Sequence, residues 1–193
     1  MIERSDFYSD EEWEKIYNFS KTVESPALII DLDIIKRKYE ELKKYFSYTK
    51  IYYAVKSNPA KEVIELLRDL GSNFDIASIY ELDQVLANGG SPDRISYGNT
   101  IKKREDIKYA YERGCRLFAT DSKQDLKNIS EYAPGSGVFF RVLIDGSASA
   151  EWPLSNKFGA DEEVILKLIP LAKKLNLEPR GISFHVGSQQ NDV

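Results

Sequence analysis

The sequence predicts an α/β fold based on a (β/α)8 barrel, of which this chain contains about six strands. Short apolar segments alternate with amphipathic segments of helical length. This alternation is typical of a parallel sheet whose strands are joined by crossover helices. Reactive or polar side chains follow several of the apolar segments, and that edge of a barrel is where catalytic residues lie. Together these observations favour a barrel over an open sheet.

Composition excludes several classes of protein. The 193 residues are 42% hydrophobic and 30% charged, which is typical of a globular protein with a sizeable core. The net charge is −4 and no dense Lys/Arg cluster is present, so no nucleic-acid partner is expected. No apolar run approaches the roughly 20 residues of a membrane span, and the acidic segment 1–14 does not resemble a signal peptide.

The sequence contains one cysteine, Cys115, and one histidine, His185. A single cysteine cannot form a disulfide within the chain, and the pair cannot build a Cys/His metal site. We therefore expect no metal and a cytoplasmic location. Cys115 is interpreted as a core residue.

Two domains are predicted, a lead-in over residues 1–26 and a partial barrel over residues 27–193. Before the first barrel strand we expect a helix over 11–19, a strand over 27–30 and a helix over 33–46. The barrel strands are predicted at 51–55, 73–77, 94–97, 117–119, 138–143 and 181–185. The helices between them are predicted at 60–70, 79–88, 103–113, 123–132 and 162–175.

The number of strands predicts an incomplete barrel. A complete (β/α)8 barrel takes about 250 residues and eight strands, whereas this sequence stops just after its sixth predicted barrel strand. We therefore expect the chain to be the first part of a longer protein. With six strands, the first and the last each have one unpaired edge, so we expect the 193-residue chain alone to be aggregation-prone. We also expect it to be inactive.

Lys56 is the central candidate for chemistry. It follows the apolar strand 51–55, and Asn58 can cap a helix that begins with Pro59. A lysine at the carboxyl end of a buried strand is expected to lose hydration, which favours its neutral amine. A neutral amine can condense with an aldehyde. A surface lysine at the start of a loop is the alternative interpretation.

Two further strands contain a charge within an apolar segment. Asp75 lies in the strand 73–77, with Glu81 in the first turn of the next helix, and Arg141 lies in the strand 138–143. A buried charge is costly unless it is paired, so we expect Lys56 to pair with Asp75 and Arg141 to share the network. A solvated turn is the alternative for Asp75.

His185 ends the last predicted strand and is followed by Gly187 and Ser188. A lone strand histidine is often structural. However, the glycine offers flexible backbone and the serine a hydroxyl, which suits an anion such as phosphate. A lysine, a carboxylate, an arginine and a histidine at one rim favour a catalytic site over simple packing.

The motifs that contain these residues resemble fold-type III pyridoxal-phosphate decarboxylases, the alanine-racemase-like barrel group. The resemblance lies in YYAVKSNP (52–59), FDIASIYEL (74–82) and SFHVGSQ (183–189). AEWPLS (150–155) leading into KFG (157–159) is most similar to the bacterial ornithine or lysine/ornithine decarboxylases. Diaminopimelate decarboxylases usually have a cysteine where this chain has Phe184.

The resemblance implies roles for individual residues. Lys56 would bind pyridoxal 5'-phosphate covalently, with Ala54 beside the ring and His185 stacked on it. Ser188 would bind the phosphate. The resemblance also assigns three charged residues to the network that orients the lysine and the cofactor: Asp75, Glu81 and Arg141.

The resemblance further implies a carboxy-lyase that converts L-ornithine to putrescine in polyamine biosynthesis, acting as a homodimer on a small amino-acid substrate. The family's Gly-rich phosphate loop, the acidic residue on the pyridine nitrogen and the C-terminal β-domain have no counterpart in these 193 residues. A diaminopimelate- or arginine-type decarboxylase, a non-catalytic regulatory relative and a truncated binding module are the alternatives.

Overall fold

The structure is a computed structural model that describes residues 4–145, 150–152 and 157–191. The chain forms two compact units, Met1–Ser47 and Tyr48–Val193. The predicted boundary after residue 26 stays a prediction. None of the described helices is both long and apolar enough to cross a membrane.

The first unit contains, among its described residues, a 3-10 turn (Arg4–Asp6) and the helices α1 (Asp10–Ser20) and α2 (Leu32–Tyr45). Ser9 begins α1 with a capping box. Its hydroxyl accepts the Glu12 N–H at 3.2 Å, and the Glu12 carboxylate accepts the Ser9 N–H at 2.7 Å.

The predicted strand over 27–30 is wrong. In the described part of the chain these residues form no strand, and a strand without a neighbour has no ladder of hydrogen bonds to hold it. Asp31, predicted to end that strand, instead caps α2 by accepting the Asp33 N–H at 2.9 Å.

The second unit is built on a parallel sheet with the order β1-β2-β3-β4-β5-β7, counted over the described residues. Its strands are β1 (Tyr52–Ala54), β2 (Asn73–Ile76), β3 (Ile95–Tyr97), β4 (Leu117–Thr120), β5 (Gly137–Arg141) and β7 (Glu178–Ser183). The six predicted barrel strands are thus confirmed. Between β5 and β7, the strand β6 (Ala150–Trp152) instead pairs antiparallel with β8 (Ser188–Gln190), which the sequence did not predict.

Helices connect the parallel strands. They are α3 (Lys61–Asp69), α4 (Ile79–Ala87), α5 (Arg104–Glu112), α6 (Lys123–Tyr132) and α7 (Glu162–Lys174). The first and last residues of each helix lie within one residue of the predicted limits. Serines make two of the starts recognisable, because the hydroxyls of Ser78 and Ser122 accept backbone N–H groups at the beginning of α4 and α6. Within the described residues β1 and β7 each have one neighbour, so the barrel is not closed.

Side chains alternate between the two faces of the sheet, and this alternation positions the site. Phe74 and Ile76 of β2 are completely buried, and β2 packs against α4. Asp75 lies between them and therefore points to the opposite face, the one that a closed barrel would enclose. Ala54 of β1 and Ser96 of β3 are in register with Asp75 and share its face.

The core lies between the sheet and its helices. Its largest completely buried side chains include Tyr97, Phe118, Phe140, Ile64, Leu82, Ile107 and Leu126. Cys115 is also completely buried, and burial raises the pKa of its thiol to about 11. The interpretation of Cys115 as a core residue is confirmed.

A buried ion pair, which the sequence did not predict, joins the ends of β3 and β4 to α6. The Lys102 side chain is fully buried, and its amine lies 2.9 Å from Asp125 Oδ2. The same amine donates to the backbone oxygens of Asn99 at 2.9 Å and Ala119 at 2.7 Å. An ammonium group has three donors, and each of the three has an acceptor here.

Candidate active site

The carboxyl ends of four strands bring the predicted site residues to one rim of the sheet. Lys56 follows β1, Asp75 lies in β2, Arg141 ends β5, and His185 lies just beyond β7. Their charges affect one another. Burial raises the pKa of Asp75, and the charges of Lys56 and Arg141 oppose that rise. Burial also lowers the pKa of His185, and the same two charges lower it further. These four predicted residues therefore form one electrostatic cluster.

Lys56 lies in a single 3-10 turn, Val55–Ser57, rather than in the strand. The turn is closed by the Ser57 hydroxyl, which donates to the Ala54 oxygen at 2.7 Å. Asn58 does not cap a helix that begins with Pro59. Its side chain accepts the Ala60 N–H at 3.0 Å, and α3 begins at Lys61, two residues after that proline.

Lys56 is exposed, so the expected loss of hydration is not found in the described chain. A closed barrel would enclose this face of the sheet, which is open here. Among the described residues its amine has no hydrogen-bond or ion-pair partner. The amine is therefore accessible to a ligand at the rim.

The expected ion pair between Lys56 and Asp75 is absent among the described residues. The partner of Asp75 is instead Ser96, whose hydroxyl donates to Asp75 Oδ1 at 2.6 Å. Burial raises the pKa of the Asp75 carboxyl, and this hydrogen bond opposes the rise more strongly than the charge of Lys56 does. A neutral hydroxyl thus takes the position at Asp75 that the sequence assigned to an ammonium group.

Glu81 makes its hydrogen bonds to residues at the start of α4. Its carboxylate accepts the Ala77 N–H at 2.8 Å, and its own N–H is accepted by the Ser78 hydroxyl at 3.3 Å. Its negative charge does reach the site, because it raises the pKa of Asp75. The observed geometry makes Glu81 a part of the N-terminal cap of α4.

Arg141 lies over an aromatic ring. Its guanidinium carbon is 5.0 Å from the centre of the Phe158 ring, within the range of a cation–π interaction. Burial lowers the pKa of Arg141, while the carboxylates of Asp121 and Asp75 oppose that shift. Arg141 therefore lies beside an aromatic ring and within electrostatic range of two negative charges, one of which is the predicted partner Asp75.

The segment that contains Phe158 is held at the next residue. Gly159 has a φ of +101°, and a Cβ there would lie 2.8 Å from the backbone nitrogen of Leu143. Its N–H donates to Asp121 Oδ2 at 3.0 Å. Glycine is required because the backbone is left-handed and passes close to the backbone of the segment that follows β5. The KFG motif therefore places Phe158 beside Arg141. Residues 153–155 of the preceding motif lie outside the described residues.

His185 lies in the segment 184–187 after β7, which ends at Ser183 rather than at 185, and Ser188 begins β8. His185 is exposed, and its Nδ1 accepts the Gly187 N–H at 2.9 Å. In the neutral ring the proton therefore lies on Nε2. The Gly187 N–H is thus already occupied, whereas Ser188 is exposed at the start of β8 and faces Trp152 across the β6–β8 pair.

Comparison with known proteins identifies the family. Residues 32–193 match the pyridoxal-binding domain of the pyridoxal-dependent decarboxylases. The chain belongs to this family. The predicted recognition, fold class and cofactor are therefore confirmed.

Individual relatives are identical to the chain at about a third of the aligned positions. Ornithine decarboxylase of Saccharomyces cerevisiae is 38% identical over 169 residues, covering 88% of this chain and 36% of the yeast protein. Antizyme inhibitor 2 of Xenopus laevis is 36% identical over 200 residues, covering 99% of this chain and 44% of that protein.

Among solved structures, the arginine decarboxylase of Paramecium bursaria Chlorella virus superposes with a TM-score of 0.84 at 32% identity. The match covers 93% of this chain and 49% of the viral chain. The chain thus spans less than half of the length of each of these three relatives.

The residues at the rim of this decarboxylase domain fit pyridoxal phosphate. The cofactor needs an accessible amine for its aldehyde, a flat group for its ring and hydrogen-bond donors for its phosphate. Lys56 offers the amine, His185 an exposed ring and Ser188 an exposed hydroxyl. Ala54, at the end of β1, has a side chain too small to block the face that it shares with Asp75.

Sequence reasoning missed three residues of this site. Ser96 and Gly98 contact Asp75, and Phe158 contacts Arg141. The local sequence of residues 96–100 is also compatible with an ordinary turn. A signal was present, since a serine within an otherwise apolar strand needs a polar partner when it is buried. The KFG motif was recognised without a role.

Replacing His185 with alanine should weaken cofactor binding without affecting folding. The side chain is exposed, and exposed substitutions usually change stability by less than about 0.5 kcal/mol. We expect an unchanged melting temperature for the apoprotein and weaker binding of pyridoxal phosphate in a fluorescence titration. His185→Phe keeps a flat ring and should recover part of the affinity. A large loss of apoprotein stability with unchanged affinity would instead make His185 structural.

Proposed function

We propose that the protein containing this chain decarboxylates a basic amino acid with pyridoxal phosphate, and that L-ornithine is its main substrate. The observation that carries the proposal is the cluster of Lys56, Asp75, Arg141 and His185 at one rim of a pyridoxal-binding domain. The similarity to ornithine decarboxylase supports ornithine, and the similarity to an arginine decarboxylase supports the wider class of basic amino acids.

In this proposal each residue has a distinct task. Lys56 binds the cofactor covalently through its amine, and His185 stacks on the ring and fixes its plane. Ser188 donates to the phosphate. Pyridoxal phosphate, when bound, is the electron sink for the charge that remains on Cα after carbon dioxide leaves.

The three remaining charged residues set the electrostatics around Lys56. Asp75 provides a negative charge near Lys56. Burial raises the pKa of the Asp75 carboxyl, and the positive charge of Arg141 opposes that rise. Glu81 adds a second negative charge from the start of α4. These three residues therefore set the balance of charge around the cofactor site.

The proposal also includes a homodimer, a role in polyamine biosynthesis and a cytoplasmic location. The cytoplasmic location is supported by the use of cysteine, because the one cysteine is buried in the core and forms no disulfide. The predicted domain division and the expected inactivity of residues 1–193 alone remain part of the same proposal.

The test is direct measurement of carbon dioxide release. The full-length protein, loaded with pyridoxal phosphate, is incubated separately with L-ornithine, L-lysine, L-arginine and diaminopimelate, and the amine products are identified by mass spectrometry. We expect the highest kcat/KM with ornithine. A preference for another basic amino acid would contradict the ornithine assignment, and a preference for diaminopimelate would contradict the substrate class.

A second candidate is a binding protein without decarboxylase activity. The observation that favours it is the 36% identity with a relative named antizyme inhibitor 2. An accessible Lys56 and an exposed His185 favour the enzyme instead. Tight cofactor binding without carbon dioxide release from any of the four amino acids would support the second candidate.

A further inference from the structure

The Asp75 carboxylate is held from β3 by two small residues. The Ser96 hydroxyl donates to Asp75 Oδ1 at 2.6 Å. Ser96 is only 5% exposed, and it is in register with Asp75, so the two side chains lie side by side on one face of the sheet. This hydroxyl is therefore protected from water, which makes its hydrogen bond to a carboxylate strong.

The backbone at Gly98 lies directly beside the same carboxylate. A Cβ at Gly98 would lie 2.4 Å from Asp75 Oδ1 and 2.4 Å from Oδ2, so any larger residue would displace the carboxylate. The Gly98 N–H donates to the Ile76 oxygen at 2.9 Å, which fixes this backbone against β2. The absence of a side chain at Gly98 is thus what leaves room for the carboxylate.

Groups on other elements also act on Asp75. Lys56 after β1 and Arg141 of β5 are positive, and Glu81 of α4 is negative. Burial raises the pKa of Tyr52 in β1 and of Cys115 before β4, and the charge of Asp75 adds to both rises. Ser96 makes a direct, short hydrogen bond to the carboxylate, so it fixes a direction that the distant charges cannot fix.

We propose that Ser96 and Gly98 are positioning residues that hold the Asp75 carboxylate in the orientation used by the cofactor site. The Ser96 hydroxyl favours the ionised form of the carboxylate and fixes its direction, while Gly98 leaves the space that the carboxylate occupies. The inference rests on the proposed function, because Asp75 matters to the reaction only if Lys56 binds the cofactor. The geometry at Asp75 itself does not depend on the cofactor.

The first test measures Asp75 directly in the full-length apoprotein. Aspartate labelled with ¹³C at its carboxyl carbon is followed by NMR during a pH titration, and Asp75→Asn assigns the signal. Losing a hydrogen bond to a buried charge should raise the midpoint in Ser96→Ala by about one pH unit. Ser96→Thr, which keeps the hydroxyl, should lie near the wild type.

Ser72→Ala is the matched control. Ser72 is completely buried and its hydroxyl donates to the Asn73 oxygen at 2.8 Å, but it lies at the opposite end of β2. We expect no change in the Asp75 midpoint. An equal shift in Ser72→Ala, or an unchanged midpoint in a folded Ser96→Ala, would overturn the role of Ser96.

Gly98→Ala provides a second test that does not depend on Ser96. The new methyl group should move the carboxylate and shift the Asp75 signal. It should also slow covalent loading of pyridoxal phosphate by about tenfold or more. The melting temperature of the variant is measured to check that it is folded. An unchanged Asp75 signal and loading rate would overturn the role of Gly98. If the protein took up no cofactor, the proposed function would fail, while the titration of Asp75 would still decide this inference.

Discussion

Replacing Lys56 with alanine is expected to abolish covalent attachment of pyridoxal phosphate. The amine of Lys56 is accessible at the rim and has no hydrogen-bond or ion-pair partner among the described residues, so it can react with an aldehyde. The full-length protein is incubated with pyridoxal phosphate, reduced with borohydride and digested. Mass spectrometry should find the modification on Lys56 in the wild type and on no lysine in Lys56→Ala.

Two other lysines sharpen this experiment. Lys61 is exposed in the first turn of α3, and Lys61→Ala should leave the modification of Lys56 unchanged. Lys102 also follows a strand at this edge, but all three of its donors have partners and its side chain is fully buried. Modification of Lys61 or Lys102 in place of Lys56 would contradict the proposed site.

The strand and helix pattern could be predicted from sequence because parallel strands between helices need apolar side chains on both faces. Phe74 and Ile76 meet that need toward the helices, and each helix has an apolar face with a recognisable start such as Ser78. The prediction of a strand over 27–30 was wrong because an apolar composition alone does not make a strand. This segment has apolar residues but no neighbouring strand among the described residues to pair with.

The location of the charged site residues was also predictable, since strand ends at one edge of a parallel sheet must meet. The hydrogen-bond and ion-pair partners of these residues could not be predicted. Whether Asp75 pairs with Lys56 or with Ser96 depends on strand register and on a clearance set by Gly98, and neither is visible in the local sequence. Lys102 and Asp125 are likewise distant in sequence, and each alone looks like an ordinary surface charge.

The buried ion pair between Lys102 and Asp125 should contribute more to stability than any exposed pair. Burial lowers the pKa of Lys102 and raises that of Asp125, and their attraction opposes both shifts. Removing one partner leaves the other buried without compensation, which costs about 3–5 kcal/mol. Urea denaturation of Lys102→Met should therefore show that loss in the free energy of unfolding.

An exposed pair provides the control. Lys108 and Glu112 are one turn apart on α5, with 3.8 Å between their charged atoms and more than half of each side chain exposed. Lys108→Met should change the free energy of unfolding by no more than about 0.5 kcal/mol. A similar loss in both variants would mean that removing a positive charge, rather than breaking a buried pair, explains the result.

A double-mutant cycle separates the pair from its surroundings. In Lys102→Met/Asp125→Leu no charge remains buried, so the double variant should be less destabilised than the sum of the two single variants, by up to about 3 kcal/mol. Some loss should persist, because the oxygens of Asn99 and Ala119 lose their donor as well. Simple addition of the two single effects would mean that Lys102 stabilises the fold through those backbone contacts and not through Asp125.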